Sequence, residues 1–184
     1  EIGTAVHTVF RHLDLTQIMD RPTVAWQIER MVHDGLLTQA DADAVEMESI
    51  MAFFQSPIGH ELKRRAGRVR REMPFSIVLG AGELAAGLDP KIAEGEWVHL
   101  QGVIDCLIER PEGFVILDFK TDRIGSGDVM ERAERYRVQM DLYARAAETI
   151  FERTVVERLL YFLHPGVAYL MATPPVEDMR DSFS

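Results

Sequence analysis

Apolar residues recur every three or four positions through the first third of the chain, which is the spacing of amphipathic helices. Proline suits the first turn of a helix and glycine the position just after its end, so Pro22 and Gly35 are predicted to bound the second helix. Thr38 is a favourable N-cap for the helix that follows. The predicted helices cover residues 1–15, 22–35, 38–54 and 57–67. Together they are most simply one helical layer.

The pattern changes after residue 68 to apolar runs rich in Val, Ile, Leu and Phe, which favour β-strands. Strands are predicted at residues 69–79, 96–109 and 114–120, a second hairpin within residues 155–172, and a long helix over residues 128–151. Elements in this order predict an α/β fold, in which helices flank a mixed sheet.

The length of 184 residues suits a single domain with a full-sized core. We expect a helical part at residues 1–67 and an α/β core at residues 68–172. Within the core, the Gly- and Ala-rich residues 80–95 are expected to form a surface insertion, and the polar residues 173–184 a loose tail. The chain has no initiator Met and its helical pattern starts almost at once, which indicates a domain excised from a longer chain.

The candidate chemistry lies on the hairpin predicted around Pro111-Glu112-Gly113, residue types that favour a tight turn. Asp105 and Asp118 are nearly equidistant from this turn, so they should lie opposite one another or one step off, with Cβ atoms roughly 4.5–5.5 Å apart. Two carboxylates that close repel one another, and Lys120 should share the face of Asp118. A divalent cation would resolve the repulsion. An acid pair with a lysine around a cation predicts a hydrolytic site.

Several other polar residues have a structural interpretation beside any functional one. His7 is either a hydrogen-bonded histidine on a half-buried helix or a metal ligand. Glu72 taken alone would form an ion pair with a neighbouring arginine. Tyr136, Gln139 and Tyr143 share one face of the predicted long helix, where by default they are polar-tipped residues at the core edge.

Composition narrows the class of protein. A net charge of −10 argues against a generally basic nucleic-acid binder, but not against a local basic channel. The basic cluster, defined as the six Lys and Arg residues from Lys63 to Arg71, is either a solvated face or a contact to a phosphate backbone. Cys106 is the only cysteine, which excludes an internal disulfide and an iron–sulfur cluster or cysteine-ligated zinc site built within this chain. With no signal peptide and no apolar run that could span a bilayer, we expect a cytoplasmic protein without a membrane partner.

Five short segments follow one another over most of the chain. They are Gly3-Thr4-Ala5-Val6-His7, Arg71-Glu72-Met73-Pro74-Phe75, Gln101-Gly102-Val103-Ile104-Asp105, Asp118-Phe119-Lys120-Thr121-Asp122 and Tyr136-Arg137-Val138-Gln139-Met140-Asp141-Leu142-Tyr143. In order and spacing they resemble the RecB-like branch of the PD-(D/E)XK nucleases, and within it the C-terminal nuclease domains of the AddA chains of bacterial AddAB helicase–nucleases. An Asp-x-Lys triplet alone is a weak signal, whereas five segments in series are a specific one.

The resemblance implies a restriction-endonuclease-like fold and a catalytic divalent cation, Mg²⁺, with Mn²⁺ also suitable because a histidine is among the ligands. The implied ligands are His7, Asp105, Asp118 and the backbone carbonyl of Phe119. Lys120 would act as the catalytic lysine and Glu72 as an acidic residue near the site. Phe119 replaces the tyrosine more usual in this branch. Its ring is expected to point outward and to leave the ligand set unchanged.

The resemblance also implies that Gln139, Tyr143 and Tyr136 contact DNA. The expected function is a Mg²⁺-dependent deoxyribonuclease, an exonuclease domain that cuts single-stranded DNA ends fed to it by a helicase motor in double-strand-break repair by recombination. Helicase domains of the same parent chain and an AddB-type partner protein, which holds the iron–sulfur cluster in that family, are the implied partners. The alternative is a catalytically silent domain that keeps the nuclease fold and guides DNA or docks a partner.

Overall fold

A computed structural model describes residues 2–80 and 97–172, with side chains from residue 3 onward. The helices are α1 (Ile2–His12), α2 (Arg21–His33), α3 (Gln39–Ala44), α4 (Met47–Gln55), α5 (Pro57–Arg64), α6 (Val129–Glu134) and α7 (Arg137–Phe151). The strands are β1 (Val69–Gly80), β2 (Trp97–Arg110), β3 (Gly113–Lys120), β4 (Val155–Phe162) and β5 (Val167–Leu170). Gly80 ends β1, and the rest of the predicted insertion and the predicted tail lie outside the described residues.

Side-chain caps explain where the N-terminal helices begin. Asp20 accepts a hydrogen bond from the Thr23 amide at the start of α2, and Thr38 and Asp41 form a reciprocal capping box at the start of α3. The prediction of one helix over residues 38–54 is wrong, because the backbone at Val45 and Glu46 is extended and separates α3 from α4. In the part of the chain that the structure describes, each helix is too short or too polar to cross a membrane.

The five strands form one mixed sheet in the order β1-β2-β3-β4-β5. Strands β1, β2 and β3 are antiparallel neighbours, β3 and β4 are parallel, and β4 and β5 are antiparallel. Helices α6 and α7 connect the two parallel strands, which cannot be joined by a tight turn. The predicted α/β fold with a mixed sheet and a helical layer is confirmed.

Each face of the sheet covers its own apolar core. Helices α1 to α5 pack on one face, where the strands contribute Cys106, Ile108, Val115, Leu117, Phe119 and Tyr161. Helices α6 and α7 pack on the other face, where the strands contribute Phe75, Ile104, Phe114, Ile116, Leu160 and Phe162. Strand β3 lies between the two cores and is buried from Gly113 to Phe119. Its polar residues are therefore held in a rigid, largely dry setting.

An aromatic cluster joins the helical layer to β3. The ring of Phe119 stacks on that of Phe10 from α1, with centroids 4.0 Å apart, and meets Phe53 from α4 edge-on at 5.0 Å. Phe53 also contacts Phe54 and Tyr161. Phe119 is 1% exposed, so the expectation that its ring points outward is wrong. It alternates with the charged residues on either side of it and therefore faces the helical layer.

The predicted helix over residues 128–151 is broken in the structure. Helix α6 ends at Glu134 and α7 begins at Arg137. The amides of Arg135 and Tyr136 donate to carbonyls only three residues back, which tightens the turn and redirects the chain. Residues of α6 and of the first turn of α7 both approach the end of β3.

Candidate metal centre and catalytic cluster

Three carboxylates lie in one row across three neighbouring strands. The pairs on either side of Glu72 place it opposite Asp105 on β2. The pairing of β2 with β3 ends at Cys106 and Leu117, so Asp105 and Asp118 are the next residue on each strand. They are close enough for the charge of Asp105 to act on Asp118, as their similar spacing from the turn predicts. Like charges directly opposite one another destabilise a sheet, so the row needs compensating charge.

The strands depart from regular pairing at this row. Glu72 has a φ of 48°, a left-handed conformation that is uncommon and strained for a residue other than glycine. In a regular strand Arg71 and Phe75 would point to the same face of the sheet. Here Arg71 contacts α1 and Phe75 packs in the core beneath α7, so the strand changes face at Glu72. On β3, the amide of Phe119 donates to the side chain of Asp105 at 2.9 Å. The Asp105 carboxylate thus lies where the two strands separate.

His7 reaches the row from α1. Its Nδ1 lies 3.3 Å from an oxygen of Asp105 and 3.8 Å from one of Glu72. One ligand atom from each of these three residues lies within 4.8 Å of the other two, which suits a shared metal ion. Helix α1 is fixed in place by Arg71, whose guanidinium donates to the carbonyls of Phe10 and Leu13 at the helix end, at 2.8 and 2.6 Å.

Asp118 and Lys120 form the other half of the cluster and share one face, as their spacing predicts. Asp118 is 2% exposed, and its Oδ2 lies 2.7 Å from Lys120 Nζ. The direction of this ion pair does not meet hydrogen-bond geometry, so Oδ2 is a buried acceptor without a well-aligned donor among the described residues. Lys120 Nζ instead donates to Gln139 Oε1 at 3.0 Å.

The three residues expected to contact DNA lie around Lys120. Gln139 accepts from the lysine and donates through Nε2 to the Tyr143 hydroxyl at 2.8 Å. The ring centroid of Tyr136 lies 3.9 Å from Lys120 Nζ, and the Tyr136 hydroxyl donates to Asp122 at 2.9 Å. The geometry therefore gives each of them a protein partner, and their contact with DNA stays a prediction.

The geometry agrees with a comparison against protein families. The model described as "PD-(D/E)XK nuclease superfamily" matches residues 1–183. This chain belongs to the PD-(D/E)XK nuclease superfamily.

Three curated relatives of this PD-(D/E)XK nuclease domain share one name, that of the A subunit of an ATP-dependent helicase/nuclease. The one from Moorella thermoacetica is 43% identical over 169 residues, which cover 92% of this chain and 12% of that protein. The protein of the same name from Pelotomaculum thermopropionicum is 45% identical over 168 residues, 91% of this chain and 13% of that protein. The one from Bacillus licheniformis is 39% identical over 175 residues, 90% of this chain and 14% of that protein. The chain thus spans about an eighth of the length of these relatives.

The pKa values of the cluster show the cost of its crowded charges. Burial and the neighbouring Asp105 raise the pKa of Asp118 to about 6, against the opposing effect of Lys120. Burial, followed by the charge of Asp105, raises the pKa of Glu72 above its usual value. The hydrogen bond to Asp105 raises the pKa of His7, although burial opposes it. The PD-(D/E)XK cluster therefore retains protons near pH 6 that a cation would displace.

The residues present fit a hard divalent cation. The row offers carboxylate oxygens, which Mg²⁺ prefers, and His7 adds a nitrogen ligand that Mn²⁺ also accepts. The buried Oδ2 of Asp118 has an unused acceptor capacity that a cation would satisfy. Glu72 belongs to the group of possible ligands with His7 and Asp105. The resemblance implied only that it lies near the site.

Three members of the basic cluster have structural partners. Arg71 holds the end of α1, Arg65 donates to Glu61 and to the Glu109 carbonyl, and the Arg70 guanidinium lies 5.0 Å from the ring centroid of Phe151. The ion pair expected between Glu72 and a neighbouring arginine is not the arrangement found, because Glu72 faces His7. Contact of the cluster with a phosphate backbone stays a hypothesis for the remaining lysine and arginines.

Two residues of this site have no role that the sequence alone predicts. Arg71 belongs to the basic cluster, and Asp122 ends one of the five segments without an expected contact. Asp122 accepts hydrogen bonds from Arg132 and Tyr136, and its side chain is 12% exposed. Its position two residues after Lys120 is the available signal, since alternate residues of an extended chain share a face.

Proposed function

We propose that this domain is a metal-dependent deoxyribonuclease that hydrolyses phosphodiester bonds. The observation that carries the proposal is the convergence of His7 on the carboxylate row, with Lys120 beside the buried Asp118. Membership in the PD-(D/E)XK superfamily gives this cluster a nuclease context. No residue of the set implied by the resemblance is replaced by one that lacks the required chemistry.

The ion would be held by His7, Asp105, Asp118 and the Phe119 carbonyl. Glu72 would be a further ligand, since it forms the described group with His7 and Asp105, to which Asp118 does not belong. A bound Mg²⁺ supplies Lewis-acid stabilisation of charge at the phosphate and a more acidic water. The Phe119 amide fixes the carboxylate of Asp105 through its hydrogen bond, so this ligand is oriented before any ion binds. Such preorganisation favours tight and specific coordination.

Lys120 contributes positive charge next to the reacting phosphate. Its side chain is 12% exposed, and Gln139 and Asp118 hold its ammonium group. In this position the ammonium orients the attacking water and stabilises the negative charge that develops in the transition state. The low exposure strengthens this interaction because water screens it poorly.

The relatives, each named as the A subunit of an ATP-dependent helicase/nuclease, support a more specific proposal. We infer that the domain acts as an exonuclease on single-stranded ends that helicase domains of the same parent chain produce during double-strand-break repair. An AddB-type protein would be the partner, and Mg²⁺ or Mn²⁺ the ion. Gln139, Tyr143 and Tyr136 would line the path of the DNA beside Lys120.

Cleavage without ATP tests the nuclease proposal independently of a motor. The full-length protein is incubated with end-labelled single-stranded DNA in Mg²⁺, in Mn²⁺, or in EDTA. We expect cleavage with either ion and none in EDTA, because the acidic row cannot stabilise an added phosphate charge without a cation. DNA binding without cleavage in all three conditions would favour the catalytically silent, DNA-guiding alternative.

Metal binding should depend on pH with a definite sign. Asp118 and His7 have raised pKa values, so they carry protons near pH 6 in the absence of metal and lose them as the pH rises. Metal affinity should therefore rise from about pH 5.5 to about pH 8, with proton release that is larger at the acidic end. Isothermal titration calorimetry of Mn²⁺ in two buffers of different ionisation enthalpy measures both quantities. An affinity that does not change over this range would contradict ligation by these residues.

A further inference from the structure

The ammonium group of Lys120 is held from three sides. Asp118 Oδ2 lies at 2.7 Å, Gln139 Oε1 at 3.0 Å and the ring centroid of Tyr136 at 3.9 Å. The first contact is an ion pair, and the second is a hydrogen bond that the ammonium group donates. The third presents the negative face of an aromatic ring, which attracts a cation and sets the direction of approach.

The position of the Tyr136 ring is itself determined by Asp122. The Tyr136 hydroxyl donates to Asp122 Oδ2 at 2.9 Å, and Arg132 Nε donates to Asp122 Oδ1 at 2.7 Å. The Arg132 guanidinium also lies 5.7 Å from the centroid of the same ring. Asp122 thus holds the hydroxyl of Tyr136 and balances the charge of Arg132, which lies beside the same ring.

Three residues of the segment formed by α6 and α7 take part in this arrangement. Arg132 belongs to α6, Tyr136 lies between the helices, and Gln139 is in the first turn of α7. Spacings of four and three residues place them on one face of this segment. That face meets the end of β3, where Lys120 lies.

We propose that Asp122 is a positioning residue for Lys120, acting through the ring of Tyr136. The proposal rests on the proposed nuclease function, in which Lys120 acts on the reacting phosphate. Without Asp122, the Tyr136 hydroxyl loses its acceptor and Arg132 loses its counter-charge, so the ring no longer has a fixed place. A displacement of a catalytic group by about 1 Å can cost on the order of 100-fold in rate.

Kinetics of single-stranded DNA cleavage by the full-length protein test the proposal. Asp122→Ala and Tyr136→Leu should each lower kcat about tenfold or more, which corresponds to the loss of a partly desolvated cation–π contact. The dissociation constant of each variant for Mn²⁺ should stay within about twofold, because neither residue is a metal ligand in this proposal. Tyr136→Phe keeps the ring and loses only the bond to Asp122, so its kcat should fall between those of wild type and Tyr136→Leu. This pair of tyrosine variants decides the question if Asp122→Ala does not fold.

A double-mutant cycle separates positioning of Lys120 from a general structural effect. In a Lys120→Ala background, single-turnover cleavage should show no further loss on adding Asp122→Ala, since the group that Asp122 positions is already gone. Glu134→Gln is the matched control. Glu134 ends α6 and pairs with Arg137 at the start of α7, and it is not among the groups that hold Lys120. The kcat of this variant should equal that of wild type.

Each other outcome has a defined meaning. Full losses that add in the cycle, or an Asp122→Ala variant with wild-type kcat, would overturn the positioning role while the nuclease proposal stands. A raised KM with unchanged kcat in Tyr136→Leu would show that Tyr136 acts in DNA binding alone, which also overturns it. Wild-type cleavage by Lys120→Ala alone would instead refute the catalytic role of Lys120 in the proposed function.

Discussion

Asparagine in place of Asp118 is expected to abolish Mg²⁺-dependent DNA cleavage, with a loss on the order of 10³-fold or more in kcat. The side chain keeps its size but loses the charge that a divalent cation requires from a buried ligand. Lys120 also loses its ion-pair partner, so its ammonium group is less well directed at the phosphate. The measurement is cleavage of labelled single-stranded DNA, with metal affinity determined in parallel.

The same variant should be at least as stable as wild type when no metal is present. Burial and Asp105 raise the pKa of Asp118 to about 6, so at about pH 8 its ionised form destabilises the fold. A neutral isostere removes this repulsion, and the gain should be roughly 1 kcal/mol or more in the free energy of unfolding. Urea unfolding at the same pH in EDTA measures it. Greater stability with lost activity is the behaviour of a residue retained for function at the expense of stability.

Asp43→Asn is a suitable control for this prediction, because Asp43 lies on α3 and accepts a local, exposed hydrogen bond from Gln39. It should cleave DNA as wild type does. If Asp118→Asn retained Mg²⁺-dependent cleavage at a comparable rate, the proposed ligand set would be incorrect.

Local patterns carry enough information to predict the sheet and the facing of its carboxylates. The turn at Pro111 and Glu112 determines the register of β2 with β3, which runs as far as Cys106 and Leu117, the neighbours of Asp105 and Asp118. Alternation along β3 places Asp118 and Lys120 on one face. The same alternation places Phe119 on the opposite face, against the helical layer, so its burial could have been predicted from the residues alone.

Helix breaks could not be predicted from spacing, because the apolar period continues through them. At Val45 and Glu46 the residues on both sides keep helical spacing, and only packing selects two helices. At Arg135 and Tyr136 no proline or glycine marks the break. The structure shows a tertiary contact at this point, because Tyr136 donates to Asp122, which follows β3.

The site depends on contacts between residues far apart in sequence, which is why local patterns do not predict them. His7 meets Asp105 only because α1 packs across the sheet, and Arg71 holds the end of that helix. The left-handed backbone of Glu72 has no local sequence signal, since glycine is the residue that favours this conformation and glutamate is not. The resemblance to known nucleases predicts that His7 and Asp105 lie together, and the structure shows the contacts that bring them together.

Alanine in place of Gly59 is expected to destabilise the whole domain by roughly 3–5 kcal/mol, among the largest effects of a single methyl group. Helices α4 and α5 meet in a tight corner, where Ser56 ends one and caps the other. A Cβ on Gly59 would lie 2.0 Å from the carbonyl oxygen of Phe53 and 2.8 Å from its carbonyl carbon. Both are backbone atoms, so no side-chain rotation relieves the clash and the two helices must move apart.

The displacement would reach the candidate metal centre, because Phe53 is the centre of the aromatic cluster that fixes Phe119 between Asp118 and Lys120. Urea unfolding should therefore show a lower midpoint, and Mn²⁺ affinity should fall in the molecules that remain folded. Gly67→Ala is the matched control, since nothing lies within 4 Å of its added Cβ and its free energy of unfolding should change by no more than about 0.5 kcal/mol. Equal stability of the two variants would show that the corner tolerates a side chain. An unchanged Mn²⁺ affinity of Gly59→Ala would show that the helical layer does not hold the metal ligands through Phe53.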